Sequence, residues 1–299
     1  MQIILQQVGM MFVFILAGYL LGYKKLLDNT QTKILSVILI YVVLPCNVFS
    51  SFSQRFTVAY LQEKYIYVLL CMALIAVTMV ISKFLSKKLG TDPYEAILYD
   101  YSLCMPNTGY MGYPVVGGVY GAATLMNFMV FVMPMSVMMY AYYLPLMTKK
   151  KGISLKALLN PTIIAMVLGM IVGLIGIPMP SFVTNICSTA SACLGPLGML
   201  MTGITISLFP LKKLVDSPKT YLVTFYRMIL LPAAIWLILK PFCPAELVRV
   251  AVLAYAMPCG MNTIVFPKLV GEDNIVGASL PFVSTVICLL TLPVFLYFL

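Results

Sequence analysis

Histidine is absent from this 299-residue sequence, and acidic residues number only nine. Without histidine there is no Ser-His-Asp triad, and zinc loses its commonest nitrogen ligand. The eight cysteines (46, 71, 104, 187, 193, 243, 259 and 288) form no CxxC pair. They read as small core-filling residues rather than metal ligands, and no metal site is expected. Charge is also scarce, at 9% of residues, against about a quarter in soluble domains. Such a chain cannot cover itself with polar surface in water, and no stretch is polar enough for a separate soluble domain. The N-terminal "MQIILQQVGMMFVFILAGYLLGY" lacks a basic start and has too long an apolar run for a signal peptide, so it reads as a retained first span.

What the chain has instead is apolar length. Hydrophobic residues make up 62% and the mean hydropathy is +1.02. A spanning helix needs about 20 apolar residues. Charge-poor runs give ten candidate spans, near 3–23, 34–53, 65–84, 96–120, 123–147, 157–178, 183–209, 220–240, 245–271 and 275–298. The predicted fold class is therefore an all-α integral membrane protein.

The loop charges alternate. Lys24, Lys25, Lys33, Lys83, Lys87, Lys88, Lys149, Lys150, Lys151, Lys156, Lys212, Lys213, Lys219 and Lys268 fall on one side, which is 14 of the 19 basic residues. The other side carries Arg55, Lys64, Lys240 and Arg249, while Arg227 lies within the eighth span. The positive-inside rule makes the lysine-rich side cytoplasmic and both termini external, as expected for a multi-pass protein of the plasma (inner) membrane. The net charge of +10 is accounted for by topology, and no nucleic-acid partner is expected.

The two halves of the chain echo each other. Gly18 and Gly22 match Gly169 and Gly173 at an offset of 151, as Pro45 matches Pro196. "MPNTGYMGYP" from Met105 matches "MPCGMNTIVFP" from Met257 at 152, with Pro114 and Pro267 at 153. These matches predict a first repeat over 1–147, a cytoplasmic linker over 148–160 (beginning "TKKKGISLKA") and a second repeat over 161–299. Five spans per repeat insert in opposite orientations, which is the inverted-repeat arrangement of secondary transporters. The matched Pro/Gly/Asn clusters of the fourth and ninth spans, around Pro106 and Pro258, are then the expected helix breaks. Freed backbone groups in lipid cost several kcal/mol unless protein or a wet cavity satisfies them, so such breaks point to a substrate site.

"NTGYMGYPVVGGVYG", "MPCGMNTIVFPKLVGEDNIVGAS" and the closing "STVICLLTLPVFLYFL" resemble the auxin efflux carrier family, over essentially the whole chain. That family includes plant PIN carriers and bacterial permeases for malonate, malate and similar anions. The resemblance implies a NhaA-like fold in which the fourth and ninth spans cross at their prolines. Spans 1, 2, 6 and 7 would form a scaffold, through which a homodimer would assemble. Spans 3–5 and 8–10 would form a moving transport domain. The resemblance also places the substrate carboxylate on the crossover asparagines, Asn107 and Asn262.

The residue chemistry adds candidates. A half-helix starting at mid-membrane presents unpaired N–H groups and a positive dipole end to an anion. Asn107, Thr108, Asn262 and Thr263 follow the two breaking prolines, and each asparagine offers two donors and an acceptor. Pro45 and Asn47 break the second span and could line the same cavity, with Tyr110 forming part of an apolar wall. Pro106, Pro114, Pro258, Pro267, Pro45 and Pro196 are the crossover or hinge candidates. Asp100 and Arg227 are intramembrane charges at matching depth. They are candidates either for proton or sodium coupling or for a structural pair, and no other cofactor is expected. The functional expectation is a secondary carrier for a small organic anion, such as malate, malonate or an auxin-like acid, that works by alternating access and is not an enzyme. An anion channel or a substrate-sensing receptor on the same fold is the alternative. An intramembrane aspartyl protease would need a second aspartate facing Asp100, and the only neighbour of that type, "GED" at 271–273, reads as a loop.

Overall fold

A computed structural model describes all residues except Met1, Lys151, Gly152, Leu155, Ala157, Leu158, Leu269 and Asp273. The 148–160 linker and the "GED" loop therefore lie partly outside the described residues. Among those described, the chain is all-helical, with one isolated backbone bridge and no strand. The elements are α1 (Gln2–Tyr23), α2 (Thr30–Arg55), α3 (Val58–Leu89), α4 (Pro93–Cys104), α5 (Thr108–Met147), α6 (Pro161–Ile175), α7 (Ser181–Ser207), α8 (Leu211–Val215), α9 (Pro218–Leu239), α10 (Ala245–Ala256), α11 (Asn262–Lys268) and α12 (Ile275–Phe298).

Six of these (α2, α3, α5, α7, α9 and α12) are long and apolar enough to cross a membrane, and Gly9–Tyr23 and Pro161–Ile175 are shorter apolar helices. The protein is a multi-pass membrane protein. Its helix starts follow local chemistry. Asp28, Thr57, Asp92, Asn160 and Asn274 each accept a hydrogen bond from a backbone N–H in the first turn of the helix that follows. At 40 residues α5 would run about 60 Å, twice a hydrocarbon core. It is broken at Gly121, whose φ of 79° and ψ of −176° suit glycine and almost nothing else.

Four prolines inside long helices are accommodated without a break. The five-residue π turns Leu39–Val43, Thr108–Gly112, Met139–Tyr143 and Tyr226–Leu230 each end two residues before a proline, namely Pro45, Pro114, Pro145 and Pro232. Proline lacks an N–H and crowds the carbonyl four residues back. Widening the preceding turn moves the backbone bond to an i→i−5 partner, as with Leu44 N–H to the Leu39 carbonyl and Leu231 N–H to Tyr226.

Two packed groups emerge. Helix α1 lies along the second half of α7, and α2 lies along α6. Both contacts rest on glycine. A Cβ at Gly18 would strike the Leu200 backbone, and one at Gly173 would meet the Phe52 and Phe56 carbonyls. The second group comprises α3, α4, α5, α9, α10 and α12. Helix α10 is buried from Val250 to Ala256 and sits at its centre, against α5, α9 and α12. The start of α5 touches α7, and α12 touches α1, so the two groups meet where α5 begins.

Candidate functional site

The two breaks form for one local reason. Pro106 and Pro258 end the helices before them by withholding an N–H and by forcing the preceding residue out of helical geometry. Met105 is extended (φ −102°, ψ 118°), as is Met257 (φ −70°, ψ 148°). The extended segments then meet. Pro106 pairs with Cys259 in an antiparallel bridge, and Asn107 N–H donates to the Pro258 carbonyl at 2.8 Å. Backbone groups freed from two helices thus satisfy one another in the middle of the fold.

Further bonds fix this junction. Cys259 N–H donates to Ser284 Oγ of α12 at 3.0 Å, and Cys259 Sγ donates to the Ser102 carbonyl at 3.6 Å. Asn262 Nδ2 donates to Tyr101 Oη at 2.9 Å and to Met139 Sδ at 2.7 Å. Thr263 Oγ1 donates to the Gly277 carbonyl at 2.6 Å and contacts the Gly260 carbonyl at 3.2 Å, so its hydroxyl closes the second break rather than facing open space. Asn107 is buried and sits at the N-cap position of α5, yet its side chain caps nothing there; the Gly112 N–H bonds its backbone carbonyl instead, at 3.1 Å.

A cavity of about 230 Å³ lies between the two helix groups, lined by Met10, Asn47, Tyr113, Pro114, Gly117, Gly118 and residues of the 191–196 segment of α7, Pro196 included. Its wall therefore comes from both helix groups. Asn47 contributes a buried side-chain oxygen with no hydrogen-bond partner, an atom that a polar ligand or water would satisfy. The sequence candidates consequently fall in two places. Asn47, Pro114 and Pro196 border the cavity. Asn107, Thr108, Asn262, Thr263, Pro106 and Pro258 form the junction. Tyr110 is buried in the π turn that starts α5, and its backbone packs on Gly198 of α7. Pro45 follows a π turn, and Pro267 is buried near the end of α11.

Asp100 and Arg227 are both buried, but they do not pair. Asp100 accepts a short hydrogen bond from Ser82 of α3. Arg227 Nη1 donates to the carbonyls of Leu103 and Cys104, both at 3.4 Å. Among the described residues the ion pairs are Lys64–Glu63 and Lys149–Glu272. A direct Asp100–Arg227 bridge, one of the two sequence expectations, is replaced by hydrogen bonds to neutral groups.

Sequence reasoning missed Tyr101, Met139, Ser284, Cys259 and Gly260 as parts of the junction. The signal for Gly260 was its place in "MPCG"; a side chain there would collide with the Tyr101 ring. Ser284 and Met139 carried none, since they arrive from helices remote in sequence.

The profile of one protein family, described as membrane transport protein, matches residues 3–157 and 150–296. An uncharacterized transporter of Methanothermobacter thermautotrophicus is 26% identical over 288 residues, covering 94% of this chain and 93% of the relative. Another, of Methanocaldococcus jannaschii, is 25% identical over 299 residues, with 94% of each chain covered. With a family match spanning nearly every residue, and with the helix breaks of its resemblance present, the chain belongs to the membrane transport protein family, that of the auxin efflux carriers.

Proposed function

We propose that the protein is a secondary carrier for a small organic anion, a carboxylate of the malate, malonate or auxin-like type. Its substrate is held at the junction of the broken helices, with access from each side in turn. The observation that carries this reading is the direct meeting of two helix breaks, Asn107 N–H on the Pro258 carbonyl, in a chain that also has a cavity walled by both helix groups. Broken helices that cross at a cavity are how transporters place polar groups at the bilayer midplane. Asn47 supplies an amide at the cavity wall, and Asn107, Asn262 and the first turn of α5 supply amide groups at the junction, all without formal charge.

In this reading the chain makes ten passes in two inverted five-helix repeats. Helix α4 with the part of α5 before its break at Gly121 makes the broken fourth pass, the rest of α5 makes the fifth, and α10 with α11 makes the broken ninth. The matched glycines support it: Gly18 seats α1 on α7, and Gly169 and Gly173 seat α6 on α2, so equivalent residues do equivalent work in the two halves. The pairs α1–α7 and α2–α6 act as scaffold. The remaining helices carry the site and move as a body, with the Lys-rich loops in the cytoplasm. Asp100 is the candidate for coupling a proton or sodium ion.

The test is uptake and countertransport of labelled malonate, malate and indole-3-acetate in proteoliposomes. Saturable flux that is stimulated by unlabelled anion on the opposite side identifies a carrier, and non-saturating flux identifies a channel. Asn107→Ala and Asn262→Ala, alone and together, are expected to lower flux at least tenfold. Unchanged flux in folded double variants would remove the site.

A further inference from the structure

Arg227 is the largest fully buried side chain among the described residues, and neither the carrier reading nor the hydrogen-bond network fully accounts for it. Its Nη1 reaches the Leu103 and Cys104 carbonyls, while Nε and Nη2 have no hydrogen-bond partner. Its guanidinium carbon lies 5.4 Å from the centre of the Tyr255 ring. The titratable groups around it, Tyr101, Cys104, Tyr226, Tyr255 and Cys259, are a thiol or phenol each, with no carboxylate among them. Arg227 also sits in the π turn Tyr226–Leu230 that Pro232 imposes on α9. Such turns recur at functional sites because they re-aim side chains. A bare guanidinium in the transmembrane interior is costly enough to call for a counter-charge, and the protein supplies none within ion-pair distance among its described residues.

The two carbonyls it engages are informative. They are the last of α4, left without intrahelical partners by the break at Pro106. They carry the helix's negative dipole end, worth about half an elementary charge. Unwound carbonyls of this kind coordinate sodium ions in transporters with broken helices. Here a guanidinium occupies them. The Pro258 carbonyl, exposed by the other break, is covered by Asn107 N–H. With these acceptors occupied, the positive N-terminal end of α5 dominates the junction.

We propose that Arg227 is the charge-selecting residue of the junction. It is a fixed internal cation that takes the α4 carbonyls away from metal cations and favours an anionic cargo through its field, without touching it. The proposal rests on the carrier reading above and adds the origin of its charge preference. Asn107 lies three residues after Cys104, at most about 11 Å along the chain. A unit charge at ~12 Å in an effective dielectric of ~20 changes the affinity for a monoanion roughly tenfold.

The experiment compares an anion with its neutral amide, because a field acts on charge and a packing defect does not. Benzoate against benzamide and malonate against malonamide are titrated onto purified wild type, Arg227→Lys and Arg227→Gln. The pair with the tighter wild-type anion is used for comparison. Arg227→Gln is expected to weaken anion binding about tenfold and to leave the amide within threefold. Arg227→Lys keeps the charge and is expected to hold the anion within threefold. A folded Arg227→Gln with an unchanged anion-to-amide ratio overturns the proposal, as does a folded Arg227→Lys that loses the anion selectively. If Arg227→Gln does not fold, the lysine variant decides alone, since a role in the fork's geometry predicts its failure and a role in charge predicts its success. Wild type that binds neither anion sinks the carrier reading and this inference together; wild-type binding with an insensitive ratio sinks this inference only.

Discussion

Gly260→Ala is the sharpest perturbation the junction offers. A Cβ at this position would lie 2.6 Å from Tyr101 Oη, 2.9 Å from its Cε1 and 3.1 Å from its Cζ. Ordinary contact begins near 3.4 Å, so the ring would have to retreat by about 0.8 Å at its hydroxyl end. It has nowhere to go: Tyr101 has no exposed surface, and its ring packs edge-on against Tyr143 at 5.1 Å and 87°. Tyr101 Oη also accepts the Asn262 Nδ2 bond. Overpacking of a rigid core costs about 1–3 kcal/mol, and a lost buried hydrogen bond adds about 1. The sum of roughly 2–4 kcal/mol corresponds to a fall in melting temperature of roughly 4–16 °C. The fluorescence of the single tryptophan, Trp236, reports it in detergent. The control is Gly109→Ala, which lies near the other break but would meet only Leu44 Cδ2, at 3.7 Å; it is expected to melt within a degree or two of wild type. A Gly260→Ala protein with the wild-type melting temperature would refute the account of a pinned ring. Equal destabilisation by both variants would refute the steric reasoning altogether.

The helix seats offer a second test. Gly18→Ala and Gly169→Ala both drive a methyl into a facing backbone and are each expected to cost about 1–3 kcal/mol, whereas Gly9→Ala, which meets nothing within 4 Å, is expected to be neutral or stabilising. Thr263→Val removes the bond to the Gly277 carbonyl and is expected to cost about 1–2 kcal/mol while leaving anion affinity within threefold, since the hydroxyl is already engaged; a tenfold loss of affinity at unchanged stability would make Thr263 a ligand after all. Orientation is tested with cysteines at the two ends of α3, in a background free of accessible native thiols. Lys87→Cys is expected to react with an impermeant maleimide only from the cytoplasmic side, and Glu63→Cys only from outside.

The two breaks were legible because Pro106 and Pro258 stand in clusters with Gly and Asn, and because the clusters recur at one offset. The other prolines were not legible in the same way. Pro45, Pro114, Pro145 and Pro232 look like kinks in the sequence, yet each is absorbed by a π turn. No local composition distinguishes a widened turn from a broken one. What decides is whether the freed carbonyls find a partner in three dimensions. Pro106 and Pro258 each have an extended neighbour, and they meet. The relation of Asp100 to Arg227 failed to be legible for a linked reason. Their depth follows from counting residues, but their azimuth does not. A π turn inserts one residue, which advances the helix by about 100°. The turn at Tyr226–Leu230 therefore lets α9 aim Arg227 in a direction that a regular helical projection misses.

Comparison of the halves separates geometry from chemistry. What they share is backbone: Gly18 with Gly169, Pro106 with Pro258, and Met105 with Met257, each of them seating a helix or ending one. What they do not share is charge. Moved by 152 residues, Asp100 falls on Val252, and Arg227, moved back, falls on Ile75. Helix breaks placed by a pseudo-twofold would leave a junction with nearly cancelling dipoles, two negative ends against two positive ones. A single guanidinium on one side of that balance, bonded to the α4 carbonyls alone, tips its sign. In the proposed carrier the matched backbone positions would supply the place to bind, and the unmatched Arg227 would decide which charge is favoured there.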